Sequence, residues 1–392
     1  MLQFEAMTRI GVYIQVPFCQ TKCTYCNFHT GVVPAARFAS YVEAVCREIR
    51  DHSSLLEASG ISSPADLTVD TVYIGGGTPS LLDPRFVGQM LQAIRNSFSC
   101  ALGEVTLEAD PETIESEKAA DWAASGVNRI SFGVQSFVDD ELKSSGRMHR
   151  AADVYKGVAI LRSLGFANIS FDLIAGLPRQ TEASWRRSLE ELIALSPEHV
   201  SAYIMEIDEG SRLGLEVLEG GSRYSARELP NEELMADFYG LAQRELKSAG
   251  YQQYEISNWA KPGFPSQHNM KYWRREPYLG FGAGAHSFSG TQRWANVHDA
   301  AAYVAAISAG QNAVESVDLV TRELALEEEL FLGLRQLAGI DLGRIERQYG
   351  VDLDKKLFRL ASRGMVEREG NTLRLPADKL SVSNEIIVEL LR

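Results

Sequence analysis

The stretch PFCQTKCTYCNF, residues 17–28, brings three cysteines within eight residues: Cys19, Cys23 and Cys26. Thiolates at such close spacing bind soft metals or iron–sulfur clusters. A structural zinc site usually takes four ligands as two separated pairs, which the C-x3-C-x2-C spacing does not supply unless His29 is the fourth ligand. Three cysteines can instead hold three irons of a 4Fe–4S cluster. The fourth iron then stays open for a substrate or cofactor.

The composition is that of an ordinary globular protein. The 392 residues are 45% hydrophobic, and the formal net charge of −13 argues against a nucleic-acid partner bound through its phosphates. The first residues lack the features of a signal peptide, and no apolar run is long enough to span a membrane. Five cysteines, three of them crowded, do not resemble a disulfide framework and indicate a reducing, cytoplasmic location. We expect Cys46 and Cys100, which fall in helical patterns, to be buried as small hydrophobic residues.

Short β-branched runs alternate with amphipathic helical patterns through the first half of the chain. The candidate strands are residues 9–16, 68–76, 104–109, 129–135, 168–176 and 199–205. Six consecutive βαβ units without a G-x-G-x-x-G motif predict a parallel β/α barrel, with a doubly wound sheet as the weaker alternative. Polar or glycine-rich residues follow each strand. Because active sites of barrels collect at the carboxyl ends of the strands, we expect the site there.

The rhythm of strands and helices changes twice further along the chain. We assign residues 1–205 to the barrel and residues 206–316, which carry HNMKYW, to an extension packed on it. Residues 320–392 read as helices followed by a hairpin turning at Gly370-Asn371, as in a winged helix. Winged helices often bind DNA, but a structural or partner-binding use is favoured here. The predicted fold is a partial (β/α)6 TIM-type barrel, an added region and a small winged-helix-like α+β unit.

The cysteine spacing resembles the motif of the radical S-adenosylmethionine (SAM) superfamily. This resemblance implies that the SAM amino and carboxylate groups chelate the open iron, and that one-electron reduction cleaves SAM to a 5′-deoxyadenosyl radical. It also places the cysteine loop after the first barrel strand. Tyr25 then takes the aromatic position near the adenine.

Other residues at the predicted strand ends match the chemistry of SAM. In GGGTPS, Gly76, Gly77 and Thr78 could present backbone amides to the SAM carboxylate as a nest. Arg147 suits the carboxylate, and acidic or amide groups suit the ribose and amine. The full set of predicted SAM contacts is Tyr13, Tyr25, Gly76, Gly77, Thr78, Glu108, Gln135, Arg147 and Asp172.

The motifs YIQVPFC, GGGTPS, LEADP, SFGVQSF, GRMH and FDLIAGLP occur in this order over residues 13–178. This series resembles the oxygen-independent coproporphyrinogen III oxidase family, whose oxidases carry a further cysteine where this chain has Phe28. The family's heme chaperone branch has three cysteines and an H-N-x-x-Y-W motif, matched here by His268, Asn269, Tyr272 and Trp273. A neutral imidazole is a common heme ligand, so His268 is the predicted ligand and His286 the weaker alternative.

The resemblance leaves three functions open. The first is a heme chaperone that holds a 4Fe–4S cluster, SAM and heme and passes heme to an acceptor protein such as a membrane-bound respiratory cytochrome. The second is oxidative decarboxylation of coproporphyrinogen III, and the third is a radical SAM enzyme with another substrate. Phe28 and HNMKYW favour the first. One departure is Gln15, where the family commonly has a histidine, because an amide cannot take up a proton near neutral pH.

Overall fold

The computed structural model of the chain describes residues 8–57, 59–61 and 67–391. Residues 1–7, which contribute to the prediction that no signal peptide is present, lie outside this part. The strands are β1 Thr8–Val16, β2 Leu67–Gly76, β3 Ser99–Ala109, β4 Arg129–Gln135, β5 Ile169–Ala175, β6 His199–Ile204, β7 Gln252–Gln253, β8 Asn258–Ala260, β9 Tyr278–Phe281, β10 His286–Phe288, β11 Gln292–Asn296, β12 Val314–Leu319, β13 Ile340–Asp341, β14 Glu367–Glu369 and β15 Thr372–Arg374.

The α-helices lie between the first six strands and, with the shorter strands, in the rest of the chain. They are α1 Phe38–Glu57, α2 Pro84–Ser97, α3 Ser116–Ser125, α4 Asp139–Ser144, α5 Ala151–Ser163, α6 Glu182–Leu195, α7 Arg212–Leu218, α8 Glu232–Ser248, α9 Gln267–Trp273, α10 Ala300–Ser308, α11 Arg322–Gly333, α12 Leu342–Tyr349, α13 Asp354–Ser362 and α14 Ser383–Leu391.

Strands β1 to β6 are neighbours in sequence order and pair in parallel, which confirms the predicted partial (β/α)6 barrel. The alternation in β1 shows how the sequence builds it. Ile10, Val12 and Ile14 are each at most 1% exposed and point to the helical layer. Tyr13 and Gln15 point to the opposite, lumenal face, as the two-residue period of a strand requires. The lumen is therefore lined by polar and aromatic side chains.

Strand β3 begins at Ser99, five residues before the predicted start at residue 104. Cys100 consequently lies in a strand and is exposed, so its prediction as a buried helical residue was wrong. The strand propensity of the following residues, together with pairing to β2, overrides the helical pattern around Cys100. Cys46 is buried in α1, as expected.

The residues after β6 extend the sheet at both edges rather than forming a separate sheet. Strands β9 to β12 continue from β1, and strands β8 and β7 continue from β6, giving a sheet of twelve strands among the described residues. Strand β9 is parallel to β1, whereas β10, β11 and β12 are antiparallel to their neighbours. The open edges of the six-stranded barrel are thereby both covered.

A buried carboxyl group fastens helix α1 to this added region. Glu48 accepts hydrogen bonds from the Tyr303 hydroxyl at 2.6 Å, the Asn296 amide at 2.7 Å and the Gly282 backbone N–H at 2.9 Å. Burial raises the pKa of Glu48 to about 7, although these three hydrogen bonds act to lower it. The group therefore joins α1, α10 and the turn after β9.

Helix α9 closes the amino-terminal end of the barrel. Glu104 in β3 accepts from the backbone N–H groups of Gln267 at 2.9 Å and His268 at 3.0 Å, so it caps the first turn of the helix. Lys271 forms an ion pair at 2.9 Å with Asp70 in β2. Two carboxylates on barrel strands thus hold α9 in place.

The carboxyl-terminal unit has the predicted winged-helix-like arrangement. Strands β13, β15 and β14 form a small antiparallel sheet beside helices α11 to α14. Gly370 has φ of 60° in the turn between β14 and β15, a conformation that glycine adopts without strain. Among the described residues, no helix has the length and apolar character needed to cross a membrane.

Candidate radical SAM site

The cysteine loop, which we define as residues 17–34, leaves β1 at the carboxyl end of the barrel. Gly31 fastens its two halves, because the Cys19 N–H donates to the Gly31 carbonyl at 3.0 Å and the Gly31 N–H donates to the Pro17 carbonyl at 2.9 Å. Thr24 ties the middle of the loop to Ser145 at 3.0 Å and to Leu213 of α7 at 2.8 Å. The loop is thus held across the barrel mouth.

The three thiols lie half-buried on this loop. Burial raises the pKa of Cys19 and of Cys26, while hydroxyl groups of Thr30 and Thr78 act against the rise at Cys19. The Arg147 guanidinium donates to the sulfur of Cys23 at 3.5 Å. This donor set fits a 4Fe–4S cluster, whose cysteines each bind a different iron.

The ring of His29, the fourth ligand in the zinc alternative, contacts another histidine ring. This second ring is that of His298, with 3.9 Å between the ring centroids. Within the described residues, no three His, Cys, Asp or Glu side chains are grouped closely enough to hold one metal ion.

The glycines at the end of β2 allow other parts of the protein to approach the backbone closely. A Cβ at Gly77 would lie 2.5 Å from the carbonyl oxygen of Phe18, and one at Gly76 would lie 2.5 Å from the Gln15 side chain. Gly76 also has φ of 114°. Residues without a Cβ are therefore required where β2 passes under the cysteine loop.

The backbone amides of this turn are already bonded. The N–H of Gly76 donates to Glu108 at 2.9 Å, that of Gly77 to the Val16 carbonyl at 2.8 Å, and that of Thr78 to the Phe18 carbonyl at 2.7 Å. These amides are therefore not free donors in this structure, and whether Gly76, Gly77 and Thr78 contact SAM stays a prediction.

A chain of polar contacts crosses the barrel mouth beside Cys23. Arg147 donates to Asp110 at 2.5 Å and to the Gly133 carbonyl at 2.8 Å, and the Thr78 hydroxyl donates to the other oxygen of Asp110 at 3.1 Å. Sequence reasoning did not name Asp110, although its place directly after β3 in LEADP was the available signal. Within the described residues, the buried Nε of Arg147 has no hydrogen-bond partner.

Glu108 lies in the lumen, below the polar contacts of Arg147, Asp110 and Thr78. It accepts from the Tyr73 hydroxyl at 2.8 Å as well as from Gly76, and burial raises its pKa to about 7. The Tyr13 hydroxyl donates to Gln15 at 2.5 Å. Burial raises the pKa of Tyr13, and the nearby charge of Glu108 raises it further. Glu108 and Tyr13 therefore form one lumenal layer.

Asp172 and Gln135 stand on the next two strands. Asp172 accepts from the Ser131 hydroxyl at 3.1 Å, and burial raises its pKa. Gln135 has φ of 61°, unusual for a residue with a Cβ, and its amide lies near Gly133 below Arg147. Such strained positions cluster at ligand sites.

Tyr25 lies beside Cys23 and on a small apolar group that contains Ile174, Leu177 and Met205. Burial and the neighbouring Cys23 raise the pKa of its hydroxyl. The structure thus brings Tyr25, Arg147 and Thr78 together with the cysteine loop. Glu108, Asp172 and Tyr13 lie deeper, and whether each contacts SAM stays a prediction.

His268 lies at the far end of the barrel from the cysteine loop. Its ring nitrogens contact the Thr71 and Tyr272 hydroxyls, each at 2.9 Å, and it is 1% exposed. Burial, followed by the charge of Lys271, lowers its pKa to about 3. Both ring nitrogens are occupied, so ligation of heme by His268 would require this end of the barrel to open.

The aromatic residues of HNMKYW are packed in a similar way. Tyr272 meets Tyr278 edge to face at 4.7 Å between centroids, and Arg335 lies over the Trp273 ring at 5.4 Å. Both rings are partly buried. His286, the weaker heme candidate, is exposed at the start of β10.

Comparison with known proteins identifies two matching families and several similar chains. A model described as the radical SAM superfamily matches residues 13–192, and one described as the HemN C-terminal domain matches residues 320–378. The heme chaperone HemW of Bacillus subtilis is 34% identical over 382 residues, covering 96% of this chain and 97% of that protein. The mitochondrial radical S-adenosyl methionine domain-containing protein 1 of Bos taurus is 33% identical, covering 98% of this chain and 87% of that protein.

A solved structure confirms the architecture. Coproporphyrinogen III oxidase (HemN) from Escherichia coli superposes with a TM-score of 0.82 at 22% sequence identity, covering 99% of this chain and 91% of that one. At this identity the likeness concerns the fold.

A partial β/α barrel with three cysteines on the loop after its first strand defines a radical SAM protein, a class that implies a 4Fe–4S cluster and SAM. Within that class, the chain belongs to the HemW-type heme chaperone branch of the HemN family.

Proposed function

We propose that this protein binds heme and transfers it to an acceptor protein such as a respiratory cytochrome, while its barrel holds a 4Fe–4S cluster and SAM. The observation that carries the proposal is the similarity to HemW heme chaperones along nearly the whole chain. The cysteine loop agrees with it, because Phe28 stands where the decarboxylating relatives carry another cysteine. Its side chain is 64% exposed and leaves an apolar surface at the barrel mouth.

The residues around the loop can support the cluster and SAM in different ways. Cys19, Cys23 and Cys26 would hold three irons, and the Arg147 guanidinium contacts the sulfur of Cys23. The cluster and SAM together supply one-electron reductive chemistry when bound. Asp110 keeps Arg147 in position, and the Tyr25 ring offers a flat face beside the loop.

An anaerobic heme titration of the cluster-reconstituted full chain, followed at the Soret band, tests the proposal. We expect saturation near one heme per chain and loss of the bound heme to an apo-cytochrome added in excess. A linear, non-saturating increase in absorbance would contradict heme binding. Saturation without transfer would contradict the chaperone role.

The second candidate is oxidative decarboxylation of coproporphyrinogen III. It is favoured by the polar residues that lie around the cysteine loop, including Asp110, Arg147 and Gln135. Incubation of the reduced protein with SAM and coproporphyrinogen III distinguishes the two candidates. Formation of vinyl products would favour the enzyme, and SAM cleavage without such products would not.

A further inference from the structure

Three exposed histidines from separate parts of the chain converge beside the cysteine loop. His29 follows Cys26 by three residues, His286 begins β10, and His298 follows β11. The rings of His29 and His298 are in contact, with 3.9 Å between their centroids and 33° between their planes. We refer to His29, His286 and His298 as the histidine triplet.

The electrostatics of His286 suit metal ligation. Burial lowers the pKa of His286, and the nearby His298 and His29 lower it further. Neutral imidazole is the form that binds a metal through its free ring nitrogen.

Apolar side chains surround the same place. Phe28 and Val32 flank His29 on the loop and are 64% and 61% exposed, although such residues are usually buried. A flat aromatic ring and a branched apolar side chain offer a surface for one face of a macrocycle. The Lys22 ammonium, which donates to the Phe28 carbonyl at 3.3 Å, adds a cation at the edge of this surface.

Imidazoles, exposed apolar groups and a cation match the three parts of heme: its iron, its macrocycle and its propionates. The macrocycle fills four positions of the iron, so one or two imidazoles complete the coordination. The contrast with His268 is direct, because His268 is buried with both ring nitrogens bonded. The triplet is accessible without any rearrangement of the barrel.

We propose that one imidazole of the contacting pair His29 and His298 is the axial heme ligand of this protein, with His286 beside the pair, and that the macrocycle lies on Phe28 and Val32. This inference rests on the proposed heme-binding function and names its site. On binding, a ring nitrogen donates its lone pair to the heme iron and displaces water, with no change in oxidation state. Because His29 is three residues from Cys26, its backbone lies within about 11 Å of that of the cluster ligand.

The test is an anaerobic heme titration of the cluster-reconstituted full chain, comparing the wild type with the double variant His29→Ala/His298→Ala. We expect a shifted Soret band and a roughly ten-fold or greater increase in Kd for the double variant, equivalent to about 1.4 kcal/mol or more. His52→Ala, which removes a half-buried imidazole of α1, is the control and should bind heme as the wild type does, whereas His268→Gln tests the alternative ligand. The double variant Phe28→Ser/Val32→Ser should weaken binding without changing the ligand-sensitive bands.

A second measurement separates ligation from structural damage. In His29→Gly/His298→Gly, free imidazole should restore the wild-type Soret position, which a structural role would not produce. Heme bound at the triplet should also broaden the electron paramagnetic resonance signal of the reduced cluster, because the two paramagnets are close.

The outcomes are distinct. Absence of saturable binding in the wild type would overturn the proposed function and this site together. Saturable binding in the wild type that persists unchanged in His29→Ala/His298→Ala would overturn the site alone, and a loss confined to His268→Gln would move the ligand to α9.

Discussion

The guanidinium of Arg147 donates to the carboxylate of Asp110 at 2.5 Å, and the two side chains are only 9% and 22% exposed. The same guanidinium reaches the sulfur of Cys23 at 3.5 Å. A carboxylate one residue beyond β3 therefore fixes a cation against a predicted cluster ligand. The Asp110 carboxylate and the Cys23 sulfur therefore both contact the single guanidinium of Arg147.

We expect Asp110→Asn to weaken both the fold and the retention of the cluster. Loss of one partner leaves the charge of Arg147 largely buried and uncompensated, which costs about 3 kcal/mol. Urea unfolding of the apo protein measures the first effect, and iron content per chain after anaerobic reconstitution measures the second. Glu389→Gln, which removes an exposed ion pair with Arg363, is the control and should cost less than about 1 kcal/mol. Equal stability and iron content for Asp110→Asn and the wild type would contradict the role of the pair.

Gly77→Ala should displace the cysteine loop. The added Cβ would lie 2.5 Å from the Phe18 carbonyl, so the loop must shift, at a cost of about 1–3 kcal/mol. Gly31→Ala provides a matched control on the same loop, because a Cβ there meets nothing within 4 Å. We expect most of the iron to be lost after desalting in Gly77→Ala and retained in Gly31→Ala. The same iron content in both variants would show that the close approach is not needed for the cluster.

His268→Gln should change how stability depends on pH. His268 has a folded-state pKa of about 3, below its ordinary value of 6.5, so its contribution is present above about pH 6.5 and is lost as the pH falls towards 3. Glutamine does not titrate, and the variant should therefore lose less stability on acidification, by up to about 1.4 kcal/mol per pH unit. Urea unfolding between pH 7 and pH 5 measures the difference. Parallel stability curves for the two proteins would mean that His268 is not buried in the neutral form.

Glu48→Gln should change the pH dependence in the opposite direction. The pKa of Glu48 is raised from 4.5 to about 7, so its contribution is present below about pH 4.5 and is lost as the pH rises through 7. Glutamine can still accept from Tyr303 and Gly282 but has no proton to lose. Between pH 5 and pH 7 the wild type should therefore lose stability relative to the variant. The same unfolding series measures this, and a variant that loses as much as the wild type would refute the assignment.

The sequence predicts the barrel well because its strands carry a local signal. The run RIGVYIQV, residues 9–16, alternates apolar and lumenal positions and falls within β1 as Thr8–Val16. The start of β3 was missed because Cys100 precedes the β-branched part of the strand. Pairing with β2 determines where the strand begins. The two-sided extension of the sheet was also missed, since strands of two to six residues carry little periodicity.

The candidate site was predictable in its residue types and not in its bonding. Asp110 was overlooked because only the fold shows that Arg147 reaches it. The amides of Gly76 and Gly77 were assigned to a ligand because sequence cannot show that Val16 and Glu108 take them first. The burial of His268 depends on contacts with Thr71, 197 positions away in the chain, which no local pattern records.

The position of α9 along the chain sets an order of events during synthesis. The six parallel strands end at Ile204, but the helix that shuts the amino-terminal end of the barrel is complete only at Trp273. At ordinary translation rates of roughly 5–20 residues per second, several seconds separate the two. During that interval Thr71 and Glu104 lack the contacts that α9 later makes with them. A ribosome stalled before residue 267 would therefore carry a barrel with an open base.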